Sequence, residues 1–243
     1  MQNSHVELNT LATTAPQPSI LATQTQLNAI EPVWQVSSHP TVLADLFIEN
    51  KHIVIWQREK MQAITRYLES VFSDLGQGLR GVYSLDSLKQ SLQQQLPQGT
   101  SAQDEQNKQA AIADIYLLSD MLTCLFDCKE VGLRLAPMSK AMCPRFHVDN
   151  IPARLVCTYL GNGTQWLPTD SVNHEKLGHG ANGLSDDKSG LYQNADVIGQ
   201  LNAFDVGILK GSAWSDDKTK AVVHRSCPIE PNQQRVLLTL DPM

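Results

Sequence analysis

His147-Val-Asp149 places an imidazole and a carboxylate two residues apart. In an extended strand such residues share a face, with Cα atoms about 6.6 Å apart, so both side chains can reach one cation from the same side. This donor pair suits Fe(II), Mn(II) or Zn(II). His224, closing the apolar run Ala221-Val-Val, can complete a triad of two histidines and one carboxylate. Such a triad covers one face of an octahedral ion and leaves positions open for a co-substrate and oxygen. His-x-Asp by itself equally describes a turn with two solvated side chains, and the added weight comes from Arg235. Pro228-Ile-Glu-Pro-Asn-Gln233 reads as a turn, so Arg235 opens an antiparallel strand beside the one carrying His224. Its fork of donors could grip a carboxylate there, or form a surface ion pair with Glu230.

A second metal chemistry uses the same neighbourhood. Cys143, His147, His224 and Cys227 would make a tetrahedral zinc set. Extended geometry opposes it, because Cys143 and His147 would end about 13 Å apart, and His224 and Cys227 would point to opposite faces. Pro144 and Pro228 could break the strands and restore it. Cys157 on an apolar strand, and Cys124 and Cys128 one helical turn apart, read as packed thiols. His174 and His179 read as a solvated loop, and Trp166 and Trp214 as core or pocket wall. Tyr159 either reaches toward a metal-bound co-substrate or packs with its hydroxyl satisfied by backbone. Arg145 and Arg154 either hold an anion or pair with acids.

The elements that must position these residues fall into three stretches. Residues 1–30, rich in Asn, Thr, Gln, Ala and Pro without sustained periodicity, read as a flexible tail. Residues 31–135 read as mainly helical. Ile64, Leu68, Val71, Phe72 and Leu75 follow helical spacing up to Gly76, and Ile112, Ile115, Tyr116, Leu122, Leu125 and Phe126 stripe a longer helix ending near Gly132. His52-Ile-Val-Ile-Trp56 is the strand exception. Residues 136–243 hold short β-prone runs at 145–149, 154–160, 165–167, 205–209, 221–224 and 235–240, with a Gly-rich excursion over 168–200. The expected fold is α+β: a helical layer covering the outer face of a small β barrel or sandwich.

Composition narrows the function classes. The chain has 243 residues, 42% of them apolar, with 25 acidic against 19 basic residues and a net charge of −6. No dense basic stretch predicts nucleic-acid binding, and no uninterrupted apolar run approaches the roughly 20 residues of a membrane span. Five irregularly spaced cysteines do not form a disulfide framework and fit a reducing cytoplasm.

The pattern His147-x-Asp149, His224 and Arg235 resembles that of Fe(II)/2-oxoglutarate oxygenases on a double-stranded β-helix, a cupin- or jelly-roll-like scaffold. The resemblance implies that the triad holds Fe(II) and that Arg235 binds the far carboxylate of 2-oxoglutarate. Asp205-Val-Gly-Ile-Leu-Lys-Gly211 resembles the strand and turn before the distal histidine in that superfamily. Leu237 departs from the pattern, which often has Ser or Thr there to share the carboxylate. More narrowly, Cys143-Pro-Arg-Phe-His-Val-Asp149, Thr158-Tyr-Leu-Gly-Asn-Gly-Thr-Gln-Trp166 and Val223-His-Arg-Ser226 resemble the bacterial family called domain of unknown function 1826. Its association with zinc-handling gene neighbourhoods implies an alternative: a non-catalytic zinc-binding or zinc-homeostasis protein on a cupin-like fold. The substrate and the oligomeric state have no signature in the sequence.

Overall fold

The computed structural model describes residues 32–243; the tail expected over residues 1–30 lies outside them. The described residues form ten strands and three α-helices. The strands are β1 (Trp34–Ser37), β2 (Ile53–Trp56), β3 (Leu79–Ser84), β4 (Glu130–Met138), β5 (Ala153–Leu160), β6 (Gln165–Leu167), β7 (Gly199–Gln200), β8 (Val206–Lys210), β9 (Val223–Arg225) and β10 (Arg235–Pro242). The helices are α1 (Gln62–Ser70), α2 (Leu85–Gln95) and α3 (Ala102–Phe126). One mixed sheet orders seven strands as β1-β2-β8-β5-β10-β4-β3, and a smaller antiparallel sheet runs β7-β6-β9.

Period-two alternation sorts the large sheet into two faces. Leu155, Cys157 and Tyr159 of β5 and Val236, Leu238 and Leu240 of β10 face α1 and α3, in one core with Ile64, Leu68, Ile115, Leu118 and Leu122. Their neighbours Arg154, Val156, Leu237, Thr239 and Asp241 line a cavity on the opposite face. The smaller sheet packs over that second face through Trp166, which joins Ile53, Ile55, Val156, Leu209 and Val222. A bulge where Val236 pairs with Leu160 but Leu237 pairs with Thr158 inserts one residue into β5.

The region expected to be mainly helical supplies β1 to β4, and the division expected at residue 135/136 falls inside β4. The helix expected to end near Gly132 stops at Phe126. Asp127 adopts a left-handed conformation (φ 47°) and Cys128 N–H closes on the Thr123 carbonyl at 3.1 Å, so the chain turns into β4. At its other end Ser101 caps Asp104 N–H at 3.1 Å, with Asp104 and Glu105 in the first turn. By length and composition α3 could cross a membrane, although polar residues interrupt its apolar run. Here it packs against α1, α2 and β10 and carries buried Lys108 and Asp114, both partnered.

Cys157 is buried as expected, whereas Cys124 is exposed and Cys128 lies beyond the helix end, so those two are not packed thiols. The 168–200 excursion is not a bare loop. Its Leu191 packs with Phe146, Leu167 and Val223, the last of these next to His224.

Candidate metal centre

His224 sits at the middle of β9, and the segment carrying His147 lies alongside it. The two residues exchange backbone hydrogen bonds, His147 N–H to His224 O at 3.0 Å and His224 N–H to His147 O at 2.9 Å. Directly opposed residues in an antiparallel pair project to the same side, and the two imidazole centroids lie 4.6 Å apart. Asp149 follows where the chain leaves this pairing. Ser212 N–H holds the Asp149 carbonyl at 2.8 Å. A Cβ at Gly211 would sit 2.1 Å from the Ile151 carbonyl and 2.9 Å from that of Asp149, so this close approach requires glycine.

The three side chains converge. Asp149 Oδ1 lies 3.8 Å from His147 Nε2, Asp149 Oδ2 lies 3.4 Å from His224 Nε2, and the three ligand atoms fall within 4.8 Å of one another. Neighbouring ligands about 2.1 Å from a shared ion would be about 3 Å apart, so small side-chain rotations close the set. Each imidazole is oriented by its own backbone: His147 Nδ1 bonds the Arg145 carbonyl at 2.9 Å and His224 Nδ1 the Val222 carbonyl at 3.0 Å. A carbonyl can only accept, so both Nδ1 atoms carry a proton and both Nε2 atoms are turned toward the cluster.

The electrostatics suit a cation. Burial, then the His224 charge, lower the His147 pKa and favour its neutral, ligating form. Burial pushes the Asp149 carboxyl up, but the His224 hydrogen bond and the charges of His224, Arg154 and His147 outweigh it and hold the group at about 2. Arg154 Nη1 donates to Asp149 Oδ2 at 2.8 Å while its Nε and Nη2 grip Asp241 at 2.7 Å each. Asp149 Oδ1 has no such donor and is the oxygen presented to an ion.

The triad opens onto a cavity of about 380 Å³ between the two sheets. Arg235 lies beside this cavity, 1% exposed, with no acidic partner among the described residues. It donates to the Ser226 hydroxyl, and at 3.4 and 3.3 Å to the Thr158 and Thr164 hydroxyls, while its buried Nε has no partner. The alternative, a surface ion pair with Glu230, is not made. Ser226 and Thr164 line the cavity, and with Thr158 they bring hydroxyls to Arg235 that Leu237 cannot supply.

Tyr159 does not join this group. The bulge and the strand alternation turn it to the helical face, where its hydroxyl donates to Asp114 Oδ2 at 2.7 Å and its ring packs on Phe204. The expected co-substrate contact is therefore replaced by a core contact. The cysteines also stay out: Cys227 Sγ bonds the Asn162 carbonyl at 3.2 Å, and Cys143 is exposed at the cavity wall. His147, Asp149 and His224 form the one potential ligand cluster among the described residues.

Sequence reasoning missed Asp186. From within the Gly-rich excursion its Oδ2 accepts from Phe146 N–H at 3.0 Å and from Arg225 Nη1 at 3.1 Å. It thereby braces the neighbours of both histidines. Arg225 is also tied to Gln165 at 2.9 Å. One aspartate among several in a loop gives no sequence signal for such a role; only the fold brings it to the two histidine-bearing segments.

The model of a protein family described as "Protein of unknown function (DUF1826)" matches residues 37–241. No curated protein matches the chain. Among solved structures, the Arabidopsis thaliana dioxygenase for auxin oxidation 1, in complex with 2-oxoglutarate, is similar at 12% identity. It covers 86% of this chain and 92% of that one, with a TM-score of 0.49. The rice dioxygenase for auxin oxidation is similar at 10% identity over 79% and 73% of the two chains, TM-score 0.45. A Pseudomonas putida prolyl-4-hydroxylase is similar at 13% identity over 83% and 96%, TM-score 0.39.

Proposed function

The chain belongs to that family, and we propose that it is a mononuclear non-haem Fe(II), 2-oxoglutarate-dependent oxygenase on a double-stranded β-helix. The strand order supports the scaffold. In the large sheet β8-β5-β10-β4 form one four-stranded half. In the small sheet the His147 segment, bridged to β9, extends β7-β6-β9 to four. The function rests on one observation: two imidazole Nε2 atoms and a carboxylate, oriented by backbone and arginine, converge at the wall of a cavity.

His147, Asp149 and His224 would hold the metal, and a donor set of two imidazoles and one carboxylate fits a divalent ion. Arg235, with the hydroxyls of Ser226, Thr158 and Thr164, would hold the far carboxylate of the keto acid; its unpartnered Nε is the orphaned donor that fits one. When bound, iron and 2-oxoglutarate supply oxygen activation and the oxidising power. The protein's own part is geometric. Arg154 fixes which Asp149 oxygen faces the ion, the two carbonyls fix the imidazole tautomers, and Asp186 holds both histidine-bearing segments in register. Five free thiols fit a reducing, cytoplasmic setting.

The test is metal and co-substrate binding followed by turnover. The purified chain is expected to bind one Fe(II), then 2-oxoglutarate, and to decarboxylate it in air; His224→Ala abolishes iron binding and turnover together. Tight zinc binding that depends on Cys143 and Cys227, with no 2-oxoglutarate decarboxylation under Fe(II), replaces this reading with the zinc-binding one.

A further inference from the structure

The cavity beside the triad carries more positive charge than metal and co-substrate account for. Its lining includes Arg80, Arg134, Arg154 and Arg225 against Asp149 and Asp241. Arg154 occupies both aspartates, and Arg225 is paired with Asp186 at 3.1 Å. Arg80 on β3 and Arg134 on β4 remain. They stand directly opposite each other across the strand pair, on the cavity face, and neither has an acidic or hydrogen-bonding partner among the described residues. Like charges directly opposed on neighbouring strands destabilise a sheet. An anion between them removes that cost, and two guanidinium groups side by side match a carboxylate or phosphate.

Apolar groups adjoin the pair. Val82 lies two residues from Arg80 on the same face and pairs with Gly132. Val82, Met142 and Met243 are 52%, 40% and 61% exposed, and all three line this cavity. Gly132 leaves the floor between Val82 and Asp241 without a side chain.

We propose that Arg80 and Arg134 form an anion subsite, so that the substrate of this cavity is an organic anion, carboxylate or phosphate, with an apolar body lying along Val82, Met142 and Met243. Calling the anion the substrate rests on the oxygenase reading; the subsite itself does not. Strands β3 and β4 lie three and two strand spacings from β5, which anchors Asp149 through Arg154. Those spacings are about 14 and 10 Å, so a molecule of moderate length gripped at its anionic end can still extend to the triad. Arg235, the proposed co-substrate anchor, is separate: it opens β10 opposite Met138, whereas Arg134 pairs with Thr239 in mid-strand.

Octanoate, octyl phosphate and octanol serve as probes in calorimetric titrations of the full chain, with Fe(II) and 2-oxoglutarate titrated separately. Octanoate or octyl phosphate is expected to bind at least about tenfold more tightly than octanol, equivalent to about 1.4 kcal/mol, and whichever binds better identifies the head group. R80Q/R134Q is expected to lose that preference while keeping Fe(II) and 2-oxoglutarate affinity, and to melt no lower than the parent because a like-charge pair is removed. The proposal is overturned if octanol binds as well as both anions, if R80Q/R134Q keeps the preference, or if that variant melts at a clearly lower temperature. Anion binding without 2-oxoglutarate turnover would retain the subsite and discard the oxygenase reading. Turnover without any anion preference would do the reverse.

Discussion

The two faces of the large sheet treat charge in opposite ways. On the helical face, Arg58 gives Asp114 two hydrogen bonds, at 2.7 and 3.2 Å, and its Nε donates to the Phe204 carbonyl at 2.9 Å; Tyr159 completes the carboxylate at 2.7 Å. The buried Arg58–Asp114 pair is thus closed inside the protein. On the cavity face, Arg235 is buried against hydroxyls alone, and Arg80 and Arg134 face each other without an acid. Arg154 on the cavity face is closed by Asp149 and Asp241, so it is the cations without acids that distinguish this face. A buried cation without an acid, such as Arg235, costs stability that a ligand can recover. The contrast separates scaffold from site without reference to any relative.

Substitutions on the two faces should therefore differ in sign. Asp114→Ala leaves Arg58 uncompensated and Tyr159 without its acceptor, and should destabilise the protein by about 3–5 kcal/mol in urea denaturation, with Fe(II) affinity unchanged in the folded fraction. Arg235→Met removes an uncompensated buried cation and should leave stability equal or higher. Its 2-oxoglutarate affinity should fall by about 10- to 100-fold, or 1.4–2.8 kcal/mol, in the same calorimetric titration. Equal destabilisation by the two substitutions would erase the distinction between the faces.

The smallest expected effect is a pH dependence at the junction of metal and arginine. Asp149 is held at about 2, below the usual carboxylate value of 3.8. The folded state therefore binds its proton less readily than the unfolded chain does, and the ionised group contributes stability that is present above about pH 4 and lost as pH falls through 2. Metal-free Asp149→Asn should be less stable than the parent at pH 7, with the gap narrowing between pH 4 and 2. A gap that stays constant across that window would show that the ionised carboxylate is not what Asp149 contributes.

Much of the site was legible because strand chemistry is local. The i, i+2 spacing of His147 and Asp149, the apolar run before His224 and the turn before Arg235 are all short-range features, and β5, β6, β8, β9 and β10 fall close to the runs that predicted them. The strands β3 and β4 were not legible: Arg80-Gly-Val82 is too short and polar a run, and the helix was extended to Gly132 over the start of β4, because the left-handed turn at Asp127 has no local signature. Tyr159 shows a different limit. Alternation says that Thr158 and Tyr159 face opposite ways, but not which way is the cavity.

Residue types and spacing by themselves determined that two imidazoles, a carboxylate and a guanidinium were available on strand-like segments, because side-chain direction along a strand repeats every two residues. Tertiary structure alone decided that His147 pairs with His224, that Asp186 braces both, that Tyr159 turns to the helices, and that Arg80 meets Arg134. Each of these is a contact between residues far apart in the chain, set by sheet order, a one-residue bulge and the packing of one face, and none of those is encoded in local sequence.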